Sequence, residues 1–481
     1  MARPTIASCQ RSLMNDLSAP TAKSSTHPNR SGNMVEFLLS LKLENLPANL
    51  VREARTRLLD GLGCGLYGAV MPWGKIAAKV VYEEESRGAA TIYGNREPVA
   101  AARAALVNGT ATHGIELDDI SPGAHVHPGA VVIPAALATA ERCGASGARL
   151  LLGLIAGYEA MTRAGRGIGE AGWGFHITGV AGPVGAAVAS GVVQGLSFDQ
   201  VMRAIGIACS SSSGIKSFTQ GSGGMVKRMH AGRAAESGVL ACDLARHGFT
   251  APLAALDGKF GLLDVFGGDK SRPEELDKNL GQNFAIGNVW TKVFPCCGVI
   301  HTTAQALHAL QVENKLTAGA IKSVRVGTNK RAVALNGALA PKETMAAQYS
   351  IPYTAAVALT RDPRDPRHYA GEAFNGASLY DLAKRVELYA DTEIEAMYPR
   401  YGTRVEVRLN DGRVLDSKLL DAHGTPADPC TEDEAKEKFR CLAEVTNSAA
   451  SIAEVLSIVE RLDTLSSVKP LSDALRSGVH A

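Results

Sequence analysis

Apolar residues recur at intervals of three and four through MVEFLLSLKLENL (34–46), the spacing of one buried helix face. PANLVREARTRLLDGLGCGL (47–66) repeats it, with Pro47 in the first turn and a break expected at the glycines near 61–65. Comparable runs at 98–118, 130–142, 148–163, 176–194, 198–209 and 226–247 predict further helices. No strand alternation persists in this half, and no fixed-period repeat is present.

The pattern changes after about residue 285. IKSVRVGTN (321–329) alternates like a strand, with Ile321, Val324 and Val326 partly in step. RVEVRLNDGRVLDSKLL (404–420) predicts a β-hairpin: Val405, Val407 and Leu409 alternate with charges, Asp411-Gly412 forms the turn, and Val414 resumes the apolar face. Helices are expected between these at 300–313, 344–361 and 376–388, then at 432–445 and 449–463 behind Pro429 and Thr431. The fold class is therefore mainly α. A large all-helical domain (33–285) is followed by a smaller inserted α+β lid domain (286–426), and C-terminal helices (427–481) rejoin the first. PRDPRHYAGEAFNG (363–376) reads as a polar loop inside the insertion. A cleft between two unlike domains is a common place for a small-ligand site.

A chain of 481 residues is long for one core, which agrees with two domains. Its net charge of +2 gives no general attraction to nucleic acid or to anionic membranes, so any anion preference must be local. Aromatic residues at 5% beside fifty glycines suggest helices packed closely through small side chains. LLLGLIAGYEAM (150–161) is short for a membrane span and AGPVGAAVASGVVQG (181–195) is broken by glycine, so both read as buried helices. Nine scattered cysteines lack a disulfide framework and point to a reducing, intracellular setting, the cytoplasm first. Residues 1–32 are rich in Ser and Thr, carry Arg3, Arg11, Lys23 and Arg30, and hold one acid, Asp16. They fit a mitochondrial targeting segment as well as a disordered tail.

Four polar clusters could carry chemistry. HGIELDDISPGAHVHPGA (113–130) holds three carboxylates and three histidines. Its first part continues the helix from near 100, which sets His113, Glu116 and Leu117 or Asp119 on one face. Its second part, interrupted by Pro122, Gly123 and Pro128, is a loop that delivers His125 and His127 to one region. A polar helix end, a metal site using Asp118, Asp119, His125 and His127, and acid–base work by histidine all fit these residue types. The His-x-His spacing is a weak metal signal, and no metal is assigned. His176, in GWGFHITG (172–179), stands between glycine turns and a small-residue helix. GSGGMVKRMHAGRAAESG (221–238) runs a glycine loop into a helix bearing Lys227, Arg228, His230 and Arg233, a means of holding an anion. WTKVFPCCGVIH (290–301) sets Lys292 before vicinal Cys296 and Cys297, with His301 as a conceivable base for a cysteine nucleophile.

HGIELDD with its His-Pro-Gly-Ala loop, GFHITGVAG, GGMVKRMHAGRAAESG and KVFPCCGVIH resemble, in the same order, motifs of the MmgE/PrpD family. The resemblance spans about residues 34–463. The family includes cis-aconitate decarboxylases, 2-methylcitrate dehydratases and an iminodisuccinate epimerase. The resemblance implies a homodimer, with a site in the cleft between a helical domain and a lid and with no metal or organic cofactor. The substrate would be a small polycarboxylate, and the activity a lyase, with cis-aconitate decarboxylation to itaconate ahead of 2-methylcitrate dehydration. By motif, the catalytic residues would be His127, His176, Lys227, Lys292 and Glu116, the last orienting a histidine. His230, Cys297, Asp118 and His301 would bind substrate. Animal cis-aconitate decarboxylases carry aspartate, threonine and histidine where Glu116, Ile120 and Cys297 stand. A fungal decarboxylase shares ELDD and Cys-Cys-Gly, whereas the dehydratases are more distant at the Lys227 motif. A non-catalytic binding protein of the same family is the remaining alternative.

Overall fold

The computed structural model describes residues 27–169, 174–219, 223–398 and 400–480. Residues 1–26, most of the N-terminal segment considered above, lie outside them, as do residues 172–173 of GWGFHITG and the first two residues of GSGGMVKR. Helices α1 (Arg30–Ser40), α2 (Ala48–Ala69), α3 (Pro72–Glu83), α4 (Ala101–Thr112), α5 (Gly129–Cys143), α6 (Gly147–Ile168), α7 (Ile177–Gln194), α8 (Phe198–Cys209), α9 (Met225–Arg246) and α10 (Leu262–Gly267) build the first part. The second contains α11 (His301–Asn314), β1 (Ile321–Thr328), α12 (Lys330–Leu335), α13 (Thr344–Gln348), α14 (Ile351–Ala358), α15 (Ala377–Ala383), β2 (Val386–Ala390), α16 (Thr392–Ala396), β3 (Thr403–Leu409) and β4 (Val414–Leu419). Helices α17 (Glu432–Ala443), α18 (Ala449–Glu460) and α19 (Lys469–Ser477) close the chain.

Helix α2 does not break at its glycines. It runs through them because each faces a large side chain: Gly61 meets Ile133, Gly63 meets Phe439 and Gly65 meets Tyr93. The same device packs the centre of the helical body. A methyl group on Gly232 would sit 2.2 Å from the Leu106 carbonyl, and one on Gly238 would sit 2.3 Å from Ala186. Helices α4, α7 and α9 thus approach closely enough that glycine is a packing requirement. Helix α7 is apolar on every side and long enough by composition to cross a membrane, yet almost all of it is buried among its neighbours.

One core joins α1–α10 to Phe439, Ile452, Val455 and Leu471 of the C-terminal helices. A second core fills the sheet domain, from Phe294 to Leu409. The sheet has the order β2-β1-β3-β4, with β1 and β2 parallel and the other pairs antiparallel. Residues 386–388, read as the end of a helix, belong instead to β2. Helix α15 stops at Ala383, and Val386 and Leu388 pair beside Val324 and Val326. Five residues are too few for periodicity to separate strand from helix. The hairpin forms as expected, but Val414 is 49% exposed. It pairs with the outward Arg408, and Leu415 and Leu419 turn toward the core instead.

Candidate active site

Helix α4 ends at Thr112, so HGIELDD is not helical. Glu116 adopts a left-handed backbone conformation, φ +55°, and the chain beyond Gly114 turns away from the helix axis. Ile115 and Leu117 insert into a small cluster with Tyr67, Trp73 and Leu442. Glu116 and Asp118, which alternate with them, are free of this cluster and pair instead with lysine and histidine. Asp119 is diverted again, accepting hydrogen bonds from Tyr158 Oη at 2.7 Å and from the Gly129 amide at 2.8 Å. Of the two loop histidines only His127 is buried; His125 is exposed, also with positive φ.

Glu116 meets two lysines. Lys227, in the first turn of α9, pairs with Oε1, and Lys292 Nζ lies 3.0 Å from Oε2. Lys227 is 2% exposed and Lys292 1%. Glu116 therefore does not orient a histidine. That part falls to Asp118, whose Oδ2 lies 2.7 Å from His113 Nδ1. His127 Nδ1 is 3.1 Å from the same oxygen, at pairing distance but off the hydrogen-bond line. His176 stacks on His113, with ring centroids 5.3 Å apart and planes within 16°, and shares an Nδ1–Nδ1 contact of 3.2 Å with His230. Phe218 lies edge-on to both His176 and His230.

Long-range backbone bonds bring these segments together. Ile120 and Trp290 exchange hydrogen bonds, the Ser121 amide donates to the Val126 carbonyl, and the His176 amide donates to the Gly214 carbonyl. Gln348 Nε2 donates to the Ile115 carbonyl, and its own carbonyl accepts from the Cys297 amide, which stitches the sheet domain to the Glu116 loop. Lys438 Nζ, from α17, donates to the carbonyls of Leu117 and Lys292 and to Asp60. Arg228 donates to the Gly114 carbonyl and lies 4.2 Å from the Trp73 ring centre. These two form part of the floor of a cleft of about 1150 Å³ between the helical body and Lys342, Met345, Arg361 and Arg367 of the sheet domain.

Burial sets the protonation of the cluster. It pushes His113 down to about 3, against partial compensation by Asp118, and holds His176 well below an ordinary histidine. Burial alone would raise the Asp118 carboxyl, but the His113 and His127 rings hold it well below the carboxylate range. Burial, then the charges of Lys292 and Arg228, push Lys227 down. A stability test follows. In the unfolded chain His113 and His176 take protons near pH 6.5, so below that pH the unfolded state binds more protons than the native one. Stability is full above pH 6.5 and falls as pH drops toward 3. Urea unfolding at pH 5 against pH 7 is expected to lose about 2 kcal/mol from the His113 ring, with His176 adding to the loss in the same direction. Equal midpoints would mean that the rings are charged in the folded protein.

Seven of the nine residues named from the sequence converge here: His127, His176, Lys227, Lys292, Glu116, His230 and Asp118. Cys297 sits half-buried beside them, tied to Gln348. His301 does not join. Its Nε2 is bonded to the Cys296 carbonyl at 3.2 Å and its ring packs on Phe294, so it is not turned to serve a thiol. Arg233 is exposed and pairs with Glu236. His113 was present in the first motif without an assigned role. Tyr349, whose ring centre lies 5.5 Å from Lys227 Nζ, and Lys438 carry no motif of their own. His113, Asp118 and His127 place ligand atoms within 4.8 Å of one another, a spacing a divalent ion could use. The contacts to Asp118 at 2.7 and 3.1 Å are hydrogen-bonding separations within a buried network.

Residues 32–275 match the MmgE/PrpD N-terminal domain and residues 294–464 the MmgE/PrpD C-terminal domain. The chain is 28% identical over 475 residues to a cis-aconitate decarboxylase-like protein of Aspergillus oryzae, covering 94% of this chain and 98% of that protein. It is 26% identical over 484 residues to a cis-aconitate decarboxylase of Aspergillus terreus, covering 95% and 98%. It is also 26% identical over 454 residues to the cis-aconitate decarboxylase of Homo sapiens, covering 91% and 92%.

Proposed function

The chain belongs to the MmgE/PrpD family, and we propose that it is a lyase that decarboxylates cis-aconitate to itaconate. The observation that carries this reading is the pair of buried ammonium groups on Glu116, set beside imidazoles gathered on Asp118. Fungal and human relatives bearing the name cis-aconitate decarboxylase, each matched over more than nine-tenths of both chains, favour cis-aconitate over the family's other substrates.

The chemistry asks for those groups. Breaking the bond between the methylene carbon of cis-aconitate and its carboxylate releases CO₂ and leaves the electron pair on an allylic system. The double bond shifts, and the pair arrives on the former vinylic carbon, where the adjacent carboxylate shares it as an enediolate. A proton added to that carbon gives itaconate. Lys227 and Lys292 are the cations for the enediolate, effective because both are buried. His127 is the proton donor, with Asp118 holding its ring. His176 serves as a packing and hydrogen-bonding partner, since burial disfavours its charged form. Glu116 keeps the two ammonium groups apart and aimed until a substrate carboxylate arrives. The sheet domain is the lid, and the cleft above Trp73 and Arg228 is the entry route for the trianion.

Proton NMR of the purified protein with cis-aconitate tests this directly. Exocyclic methylene signals of itaconate are expected. Untouched cis-aconitate together with consumption of 2-methylcitrate would replace decarboxylation by dehydration. Inertness toward both, and toward other polycarboxylates, would leave a binding protein.

A further inference from the structure

A second polar cluster lies away from this site, where the chain passes from β4 into α17. The loop between them is tight: the Gly424 amide donates to the Asp428 carbonyl at 2.8 Å and the Asp428 amide to the Thr425 carbonyl at 3.0 Å. Gly424 is required in it. Its φ is +92°, and a methyl group there would sit 2.0 Å from the Thr291 carbonyl. The loop closure sets His423 against Cys430 and the first turn of α17. His423 Nε2 lies 2.9 Å from Glu434 Oε1 and 3.7 Å from Cys430 Sγ. The three ligand atoms are within 4.8 Å of one another.

Each of these side chains is already oriented by a separate contact. Glu434 spends Oε2 on the capping box of α17, accepting from the Thr431 amide at 2.7 Å and hydroxyl at 2.8 Å, which leaves Oε1 facing the imidazole. Asp428 Oδ2 lies 3.2 Å from His423 Nδ1, on the other side of the ring. A carboxylate on the far nitrogen is the usual partner of a metal-bound histidine, since it fixes the tautomer and leaves Nε2 as the ligand. One imidazole, one thiol and one carboxylate form a donor set for a borderline divalent cation. The nitrogen–sulfur separation is close to the roughly 3.5 Å edge of a tetrahedral zinc site, and the nitrogen–oxygen pair opens by about half an ångström to match.

We propose that His423, Cys430 and Glu434 bind one zinc-class divalent ion, with Asp428 as the group that orients the histidine. The fourth position is left for water. The ion would fix the loop whose Gly424 carbonyl accepts from the Thr291 amide, next to Lys292, and it would lie one helical turn from Lys438. Its role is structural, at the junction of the sheet domain with the C-terminal helices.

The test uses the full-length protein stripped with a chelator and titrated with Co²⁺ and, separately, Zn²⁺. One equivalent of cobalt is expected, with a thiolate-to-cobalt charge-transfer band in the near ultraviolet, displaced by zinc. Cys430→Ser is expected to abolish the band. Glu434→Gln retains an acceptor for the capping box but loses an anionic ligand, so it should fold normally and weaken binding at least tenfold. His127→Ala, in the other histidine cluster, should leave the band unchanged. A band that survives in Cys430→Ser, or no stoichiometric binding by the folded wild-type protein, would overturn the proposal. In that case His423, Asp428 and Glu434 form only a hydrogen-bonded bridge across the loop.

Discussion

Replacing Lys292 by methionine is expected to lower turnover of cis-aconitate by about 10²–10³-fold, the usual cost of deleting a preorganised group that stabilises developing negative charge. Methionine keeps most of the side-chain volume, so the packing around a residue only 1% exposed is little disturbed. What disappears is the ammonium 3.0 Å from Glu116 Oε2. Lys227 still pairs with the other oxygen, so Glu116 keeps one cation and the fold is expected to survive. The two kinetic constants separate the roles. A loss confined to kcat places Lys292 on the enediolate, whereas a rise in KM alone would make it a ground-state binding group. Turnover within threefold of wild type would remove the lysine pair from the chemistry.

The largest stability effect is expected at Lys438. Its ammonium makes three contacts, to Asp60 Oδ1 at 2.6 Å, the Leu117 carbonyl at 2.7 Å and the Lys292 carbonyl at 2.8 Å. Burial would lower this lysine, but Asp60 wins and holds it above the usual value. Lys438→Met therefore leaves Asp60 buried without its ammonium partner and strips a donor from two carbonyls beside the active site. Breaking one side of such a pair costs about 3–5 kcal/mol. Lys436, two residues earlier, pairs with the more exposed Glu432 and Glu460, and its methionine variant should cost under about 1 kcal/mol. Urea unfolding of the two variants checks the contrast; equal losses would mean that the Lys438 contacts add nothing beyond an ordinary surface pair.

Much of the helical half was legible because long amphipathic runs repeat their period several times over. Residues 198–209 form a helix with the expected bounds, and 226–247 is offset by one residue. The errors came where local rules met tertiary packing. Glycines 61–65 read as a break, yet α2 runs through them because Ile133, Phe439 and Tyr93 fill the space their missing side chains leave. HGIELDD read as helix, yet its backbone turns so that Ile115 and Leu117 reach an apolar cluster contributed by α2, α17 and Trp73. That one change of backbone moved Glu116 from a presumed histidine partner to two lysines.

The sequence by itself determined which residues were available: a helical body with a small α+β insertion, and four separated motifs holding the histidines, lysines and carboxylates of the site. Residue type and period are local properties, and they sufficed for that much. Only the tertiary structure decided the pairings. Asp118 gathers His113 and His127, Glu116 draws Lys227 and Lys292, His301 turns away to the Cys296 carbonyl, and Lys438 reaches in from a helix with no motif. These contacts join residues up to 378 positions apart. They are settled by which buried charges can satisfy one another once the cores have closed, and no local pattern encodes that.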